Sequence, residues 1–499
     1  MPDDAIDLLI VGGGINGTAI ARDAAGRGLS VVLAERDDLA NGVTSRSTKL
    51  IQGGFHDLAR GAFGHVRTAL AERNVLFRNA PHVVRPTRFV VPHDEALRSA
   101  TRTMLELWLY DRLGHQAGLP KATRIELHQD PARDLFKPQF KTGFTFTDGI
   151  CDDSRLVVLN AVDASEHGAE IATRTRVTAA RRANGIWYAL LHRAGRPTRA
   201  IRARALVNAT GPWTAAFASE ALEAPPAAEP PRLVRGGHLL VPMAAPESSV
   251  YVLPGRAGSR PVYIVPYQGF ALIGPVACGE DADPGAEDID DTEARDLLDT
   301  VGHFFAQPPG SADVAFTFAS VWVTARRGLE PLDEAAIDLD HGPDRAPLIT
   351  IRGGSLGLHR RLAERVLTRL QPLLGFAAGP WTAHAPLPGG DLGGIAFDDF
   401  LSGLQMNRSW LPVSLAERWA RTYGTRAGRI LADAQSLGDL GEAIGDGLFE
   451  AEVDYLRRVE FAVTEEDILW RRTKLGLETS EATGQRLRTI LEASQLAAA

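Results

Sequence analysis

Three glycines, Gly12, Gly14 and Gly17, sit in the run Val11-Gly12-Gly13-Gly14-Ile15-Asn16-Gly17 with the spacing of a dinucleotide-binding loop. Gly12 permits a tight turn, Gly14 lets the backbone approach a pyrophosphate, and Gly17 lets a helix pack close to a strand. The N-terminus of that helix offers free N–H groups and a partial positive charge to phosphates. Glu35 follows Gly14 by 21 residues, at the end of the next apolar run, where a carboxylate accepts hydrogen bonds from ribose hydroxyls. The same carboxylate disfavours a 2′-phosphate, which argues against NADP and leaves FAD and NAD open. A second pattern, Gly353-Gly354-Ser355-Leu356-Gly357, spells G-x-S-x-G between a strand-like and a helix-like stretch, with His384 downstream. That is the nucleophile-elbow pattern of serine hydrolases, and it makes Ser355 a candidate nucleophile. Against it stand the cofactor loop that opens the chain and the absence of an HGGG-type oxyanion segment. His238, in GGHLLVP, is a third candidate; its plain alternative is a core histidine with a satisfied hydrogen bond.

These residues need elements to hold them. Asp7 to Val11 reads as a buried strand, Asn16 to Arg27 as a helix stopped by Gly28, and Ser30 to Leu33 as a second strand, together a β–α–β unit. Helical spacing recurs over Ala59–Pro81, Ser99–Arg112, Asp152–Glu166 and His359–Leu374, and strands are expected at Pro86–Pro92, Ala205–Asn208 and Leu348–Ile351. Residues 224–231 (APPAAEPP) read as a linker. From 232 to 276, apolar runs recur every 10–12 residues, which predicts an antiparallel meander. Residues 278–294 read as an acidic loop, and beyond Pro388 only helices are expected. The fold class is therefore α/β, with a dinucleotide-binding start, a β-rich middle, a return to α/β and a helical tail.

Composition narrows the function classes. A chain of 499 residues exceeds one ordinary domain. Its net charge of −8, without a Lys/Arg-rich run, argues against nucleic acid. Cys151 and Cys278 are isolated, so neither a disulfide framework nor a zinc site is expected, and no metal is assigned. The N-terminal run MPDDAIDLLIVGGG lacks the positive flank of a signal peptide, and no run of about 18 apolar residues exists. A cytoplasmic chain is the expectation. Trp470-Arg471-Arg472-Thr473-Lys474 mixes apolar and basic residues, which fits contact with a membrane surface or, equally, a packed helical domain with a solvated basic face. Only Lys49, Lys121, Lys137, Lys141 and Lys474 are lysines, leaving 49 arginines among the 54 basic residues.

Several stretches, taken together, span essentially the whole chain: DLLIVGGGINGTAIARDAAGRGLSVVLAERDDLANGVTSRSTKLIQGG, LVNATGPW, GGHLLVP, APLITIRGG, RLAER, RTYG and EAEVDYLRRVEFAVTEEDILWRRTKLGL. On them the chain resembles the FAD-dependent, quinone-linked (aerobic) glycerol-3-phosphate dehydrogenases. The resemblance implies a Rossmann-like FAD-binding domain assembled from residues 1–85, 150–215 and 335–385. It also implies an antiparallel-sheet substrate domain (86–149 and 216–334) and an α-helical C-terminal domain (386–499). The implied reaction moves a hydride from C2 of glycerol 3-phosphate to the flavin, with a quinone receiving the electrons; on this chain His56 and His238 are the candidate bases for the hydroxyl proton. The implied partners are a small-molecule substrate, the quinone and the inner face of the plasma membrane, bound peripherally; a homodimer stays open.

The implied cofactor residues are Gly12, Gly14, Ile15, Asn16 and Gly17 at the pyrophosphate, and Glu35 with Arg36 at the ribose. Ser45, Ser47, Thr48 and Lys49 match the segment along the flavin and its phosphates, and Val177 the backbone position at adenine. Ala209, Thr210, Gly211 and Trp213 match the third cofactor segment, and Gly354 and Leu356 the glycine turn that faces the flavin.

The substrate side departs from the pattern. The family's K-L-I-H-G-G-L-R-Y-L reads Lys49-Leu-Ile-Gln52-Gly53-Gly54-Phe55-His56-Asp57-Leu58, so histidine, arginine and tyrosine become Gln52, His56 and Asp57. The arginine of G-V-R-P-L falls on Trp322 without a gap, or on the Arg326-Arg327 pair with an insertion; Arg327 is the candidate in that case. The lysine of G-G-K becomes Ser355, and a Thr-Thr-Asp segment becomes Ile273–Ala277. Each charge-assisted hydrogen bond to a phosphate contributes about 1.5–3 kcal/mol. Losing three cations removes several powers of ten in affinity, so a less anionic substrate, or a flavoprotein without turnover, is the alternative.

Overall fold

The computed structural model describes residues 5–498 except 59–60, 95–98, 115–117, 224–231, 243–247, 256–259, 281–282, 286–287 and 325–333, and at 277–280, 324 and 494–498 only the backbone. Two sheets and a helical cap make up the described chain. The first sheet has eight strands, and its central strand is Ile6–Val11. Val31–Ala34 and Arg199–Asn208 flank it in parallel, and Arg345–Arg352 continues in parallel beyond Arg199–Asn208. Buried parallel strands call for apolar runs on both faces. Leu8, Leu9 and Ile10 meet this demand with no exposure at all. On one face the helices Ile15–Gly26, Asp153–Glu166 and His359–Leu374 pack through Ile20, Leu156, Val157 and Val366. The other face is covered by the hairpin Arg176–Ala183/Ile186–His192, with Trp187 and Leu191.

The second sheet has nine strands. It corrects the expected meander: Ser249–Leu253, Val262–Tyr267 and Phe270–Glu280 follow one another, but Arg232–Val241 pairs with Phe270–Glu280 and Phe316–Thr324. The sheet is also mixed, because Ser249–Leu253 runs parallel to Val84–Pro92. The expected acidic loop ends early, at the helix Asp291–Phe304, where Asp290 and Glu293 form a reciprocal capping box. Past Pro388 a short hairpin, Ala443–Gly445 with Leu448–Phe449, interrupts the helices. The helical region has its own core around Trp419, Tyr423 and Leu456. Among the described residues, no helix is long and apolar enough to cross a membrane.

Candidate functional site

A cleft of about 650 Å³ opens along the carboxyl ends of the parallel strands. At its floor Gly12 takes φ +115°, and a Cβ there would lie 2.5 Å from the Ala209 carbonyl oxygen. A Cβ on Gly17 would lie 1.9 Å from the Gly12 carbonyl, so helix and strand touch through bare backbone. Gly14 differs: its Cβ would meet only Thr44 Oγ1 at 3.5 Å, which leaves its surface open to the cleft. Gly14 is also the N-cap of the helix, with no side-chain cap and no acid in the first turn. Glu35 directly follows the strand Val31–Ala34; its Oε2 accepts from Gly13 N–H at 2.6 Å and its Oε1 from Asp37 N–H at 2.8 Å. Burial raises its carboxyl above the usual range against those two bonds, and each oxygen keeps a further lone pair.

Of the expected cofactor residues, Gly12, Gly14, Ile15, Asn16, Glu35, Arg36, Val177, Ala209, Thr210, Gly211, Trp213 and Gly354 line this cleft. The Arg36 guanidinium lies 5.0 Å from the Trp213 ring centre. Gly17, Ser45, Ser47, Thr48, Lys49 and Leu356 are outside the lining, whereas Asn41, Thr44, Arg46, Thr175 and Trp322 line it without having been anticipated as cofactor residues. The run Asn41-Gly-Val-Thr44-Ser-Arg46 was the available signal, since small polar residues beside a cofactor loop favour turns. Three features suit a dinucleotide. The helix N-terminus has no side-chain cap, Gly14 is open, and Asn16 Oδ1 is buried without a partner among the described residues while its Nδ2 donates to the Gly353 carbonyl at 3.2 Å.

Behind the cleft lies a buried polar cluster. Asp153, at the start of the helix Asp153–Glu166, accepts at one oxygen from Ser47 Oγ and Lys49 Nζ, both at 2.6 Å. Burial would raise the Asp153 carboxyl, but Lys49 and Lys474 outweigh it and hold it below the usual range. Thr48, between those two anchored residues, shares a 2.9 Å hydrogen bond with His238 Nε2. The His238 ring stacks on Phe318 with 4.9 Å between centres. A Cβ on Gly274 would intrude to 2.5 Å of this ring. Burial first, and Lys49 second, push His238 down to about 3, so it is a neutral imidazole at working pH.

The substrate-side positions take different places. Trp322, on the strand Phe316–Thr324, lines the cleft and lays its ring over Gly236, where a Cβ would come within 1.8 Å of it. Arg326 and Arg327 lie outside the described residues. Gln52 Oε1 accepts from the Tyr263 hydroxyl at 3.3 Å, and the next residue, Gly53, donates its N–H to the Tyr110 hydroxyl at 2.8 Å. Tyr110 in turn donates to Asp148, which pairs with Arg73. His56 is half-buried, edge-on to Phe55. Ser355 is half-buried in a glycine turn, and among the described residues no hydrogen bond joins its hydroxyl to a histidine or carboxylate; His384 is exposed.

The Trp470–Lys474 segment corrects one expectation placed on it, the solvated basic face. Arg471 and Arg472 are buried and both bind Asp38, two residues past Arg36, and Lys474 is buried against Ser154. The reason is charge pairing: Asp38 sits inside the interface between cofactor sheet and helical cap, and the cations neutralise it there.

Residues 7–350 match the family described as FAD dependent oxidoreductase, and residues 380–496 match the C-terminal domain of alpha-glycerophosphate oxidase. The chain is 42% identical to a glycerol-3-phosphate dehydrogenase of Pseudomonas aeruginosa, covering 98% of this chain and 95% of that protein. It is 40% identical to a D-erythritol 1-phosphate dehydrogenase of Brucella abortus, covering 96% of each. The glycerol-3-phosphate dehydrogenase from Bacillus halodurans, solved complexed with FAD, shares the fold at a TM-score of 0.75 and 23% identity, covering 99% of this chain and 95% of that one. The open glycine loop, the separated strands that build one cleft and these near-full-length matches lead to one conclusion: the chain belongs to the FAD-dependent glycerol-3-phosphate dehydrogenase family of oxidoreductases.

Proposed function

We propose that the chain dehydrogenates a secondary carbinol of a small polyol monophosphate, the class to which the substrates named for two of its relatives belong. The observation that carries this reading is the cleft whose open Gly14, uncapped helix and Glu35 suit FAD. Gly12, Gly14 and Asn16 would hold the pyrophosphate, Glu35 and Arg36 the ribose, Val177 the adenine, and Ser45–Lys49 with Gly354 and Leu356 the flavin side. Bound FAD supplies the hydride acceptor. The chain's own residues orient the carbinol and accept its proton, at the His238 imidazole or at His56.

A second reading is favoured by Trp322, Ser355 and His56 standing where the family pattern has cations: the same chemistry on a less anionic polyol. Anaerobic mixing of the FAD-loaded protein with glycerol 3-phosphate, erythritol 1-phosphate and glycerol separates the two. Bleaching by a phosphate ester supports the first reading. Bleaching by glycerol alone supports the second, and a flavin reduced by dithionite but by none of these overturns both. Esterase activity lost in Ser355→Ala would instead revive the hydrolase.

The setting we propose is cytoplasmic, peripheral on the inner membrane face, with a quinone as acceptor; a homodimer fits the same setting. In support, the helix Ala100–Leu113 exposes 62% of Leu105 and 51% of Trp108 beside Arg102 and Arg112, a pattern that suits an interface of anionic lipid. Leu105→Ser with Trp108→Ser should lower cosedimentation with anionic vesicles about tenfold; unchanged binding removes this surface from the proposal.

A further inference from the structure

Two of the chain's five lysines are buried, and both point at the same helix end. Lys49 is 2% exposed and Lys474 is 6% exposed. Each has φ +62°, a left-handed conformation that side-chain-bearing residues rarely hold without reason. Lys474 Nζ donates to Ser154 Oγ at 2.7 Å and lies 3.9 Å from Asp152 Oδ1. Ser154 N–H donates to Asp153 Oδ1 at 2.7 Å, and the other Asp153 oxygen takes Ser47 and Lys49. A continuous path of contacts therefore runs from the helical cap, through the first turn of the helix Asp153–Glu166, to the residues on either side of Thr48.

We infer that Lys474 is a positioning residue for the segment Ser45–Lys49, acting through Ser154 and Asp153. The inference rests on the proposed reading in which that segment faces the flavin. Two ammonium groups balance Asp152 and Asp153 across the helix N-terminus, and the balance fixes where the Asp153 carboxylate sits. That carboxylate anchors Ser47 and Lys49 at once, and so sets the Thr48 hydroxyl that binds His238. A compact ammonium suits this buried corner, whereas a forked guanidinium needs more donor-matched space. Arginine fills 49 of the chain's 54 basic positions, yet both ends of this path are lysine. The helical cap thereby reaches the residues on either side of Thr48 through the first turn of the helix Asp153–Glu166.

The test uses the full chain loaded with FAD and reads the visible flavin spectrum and the flavin midpoint potential, with thermal stability as control. Lys474→Met, Ser154→Ala and Lys49→Met are compared. Lys474→Met and Ser154→Ala should each shift the flavin reduction equilibrium about tenfold, and the Lys474→Met effect should shrink when Lys49→Met is already present. Ser154→Ala removes a single hydroxyl and carries the test if Lys474→Met fails to fold. A shifted flavin in Lys49→Met with an unmoved one in both other variants overturns the inference alone. An unmoved flavin in Lys49→Met overturns the reading beneath it.

Discussion

At residue scale, the glycines of the cofactor loop have separable duties. Gly17→Ala would place a methyl 1.9 Å from the Gly12 carbonyl. We expect it to cost about 3 kcal/mol or more in denaturant titration, since overpacked backbone cannot yield as a side chain does. Gly14→Ala meets only Thr44 at 3.5 Å; its stability should stay within about 1 kcal/mol, while FAD affinity measured by fluorescence quenching falls about tenfold or more. The two base candidates are equally distinct. His238 is held down to about 3, so as base it is already deprotonated at working pH, and kcat/KM should be flat from about pH 5 to about pH 8. If His56 is the base instead, His56→Gln lowers kcat/KM at least about a hundredfold and His238→Gln does not.

At the scale of elements, segments with strong apolar periodicity were legible in sequence. The helix His359–Leu374 has the bounds its spacing predicts, because Leu362, Val366 and Leu370 face one core. The hairpin Arg176–Ala183/Ile186–His192 was not anticipated, although its Asn184-Gly185 turn, with φ +53° and +71°, is a strong local hairpin signal. The Trp470–Lys474 segment misled because sequence shows basic residues without their partners. Its arginines now yield a prediction: Asp38→Asn leaves Arg471 and Arg472 less compensated in the interior. It should destabilise the protein by about 3–5 kcal/mol in urea titration, and a change below about 1 kcal/mol would contradict the buried pairing.

At the scale of the whole molecule, acid sensitivity follows from three buried neutral histidines. Burial leads in each case, holding His82 and His238 down to about 3 and His359 to about 4, against 6.5 in an exposed ring. As pH falls below the exposed value the unfolded chain takes up protons that the folded chain refuses, so stability is full above that value and declines toward about pH 4. The lowered Asp153 and Asp467 carboxyls add loss of the same sign at lower pH. Urea midpoints at about pH 7 and about pH 5 should differ accordingly, and the difference should narrow in His82→Phe.

The amino-acid sequence by itself determined the family, the cofactor loop and the first β–α–β unit. The loop and the unit are written in local spacing, three glycines, one acid and an apolar run within 30 residues of chain, whereas the family resemblance rests on motifs spread over the whole chain. Tertiary structure alone decided which side chains face the cleft and which hold the cleft's walls. Thr44, Arg46 and Trp322 face it, while Ser47 and Lys49 turn to Asp153, more than 100 residues away in sequence. It also decided that two arginines and a lysine near the C-terminus are interior groups. The physical reason is that a charge shows its type in sequence, but the opposite charge that lets it be buried is supplied by another element, and only folding brings the two together.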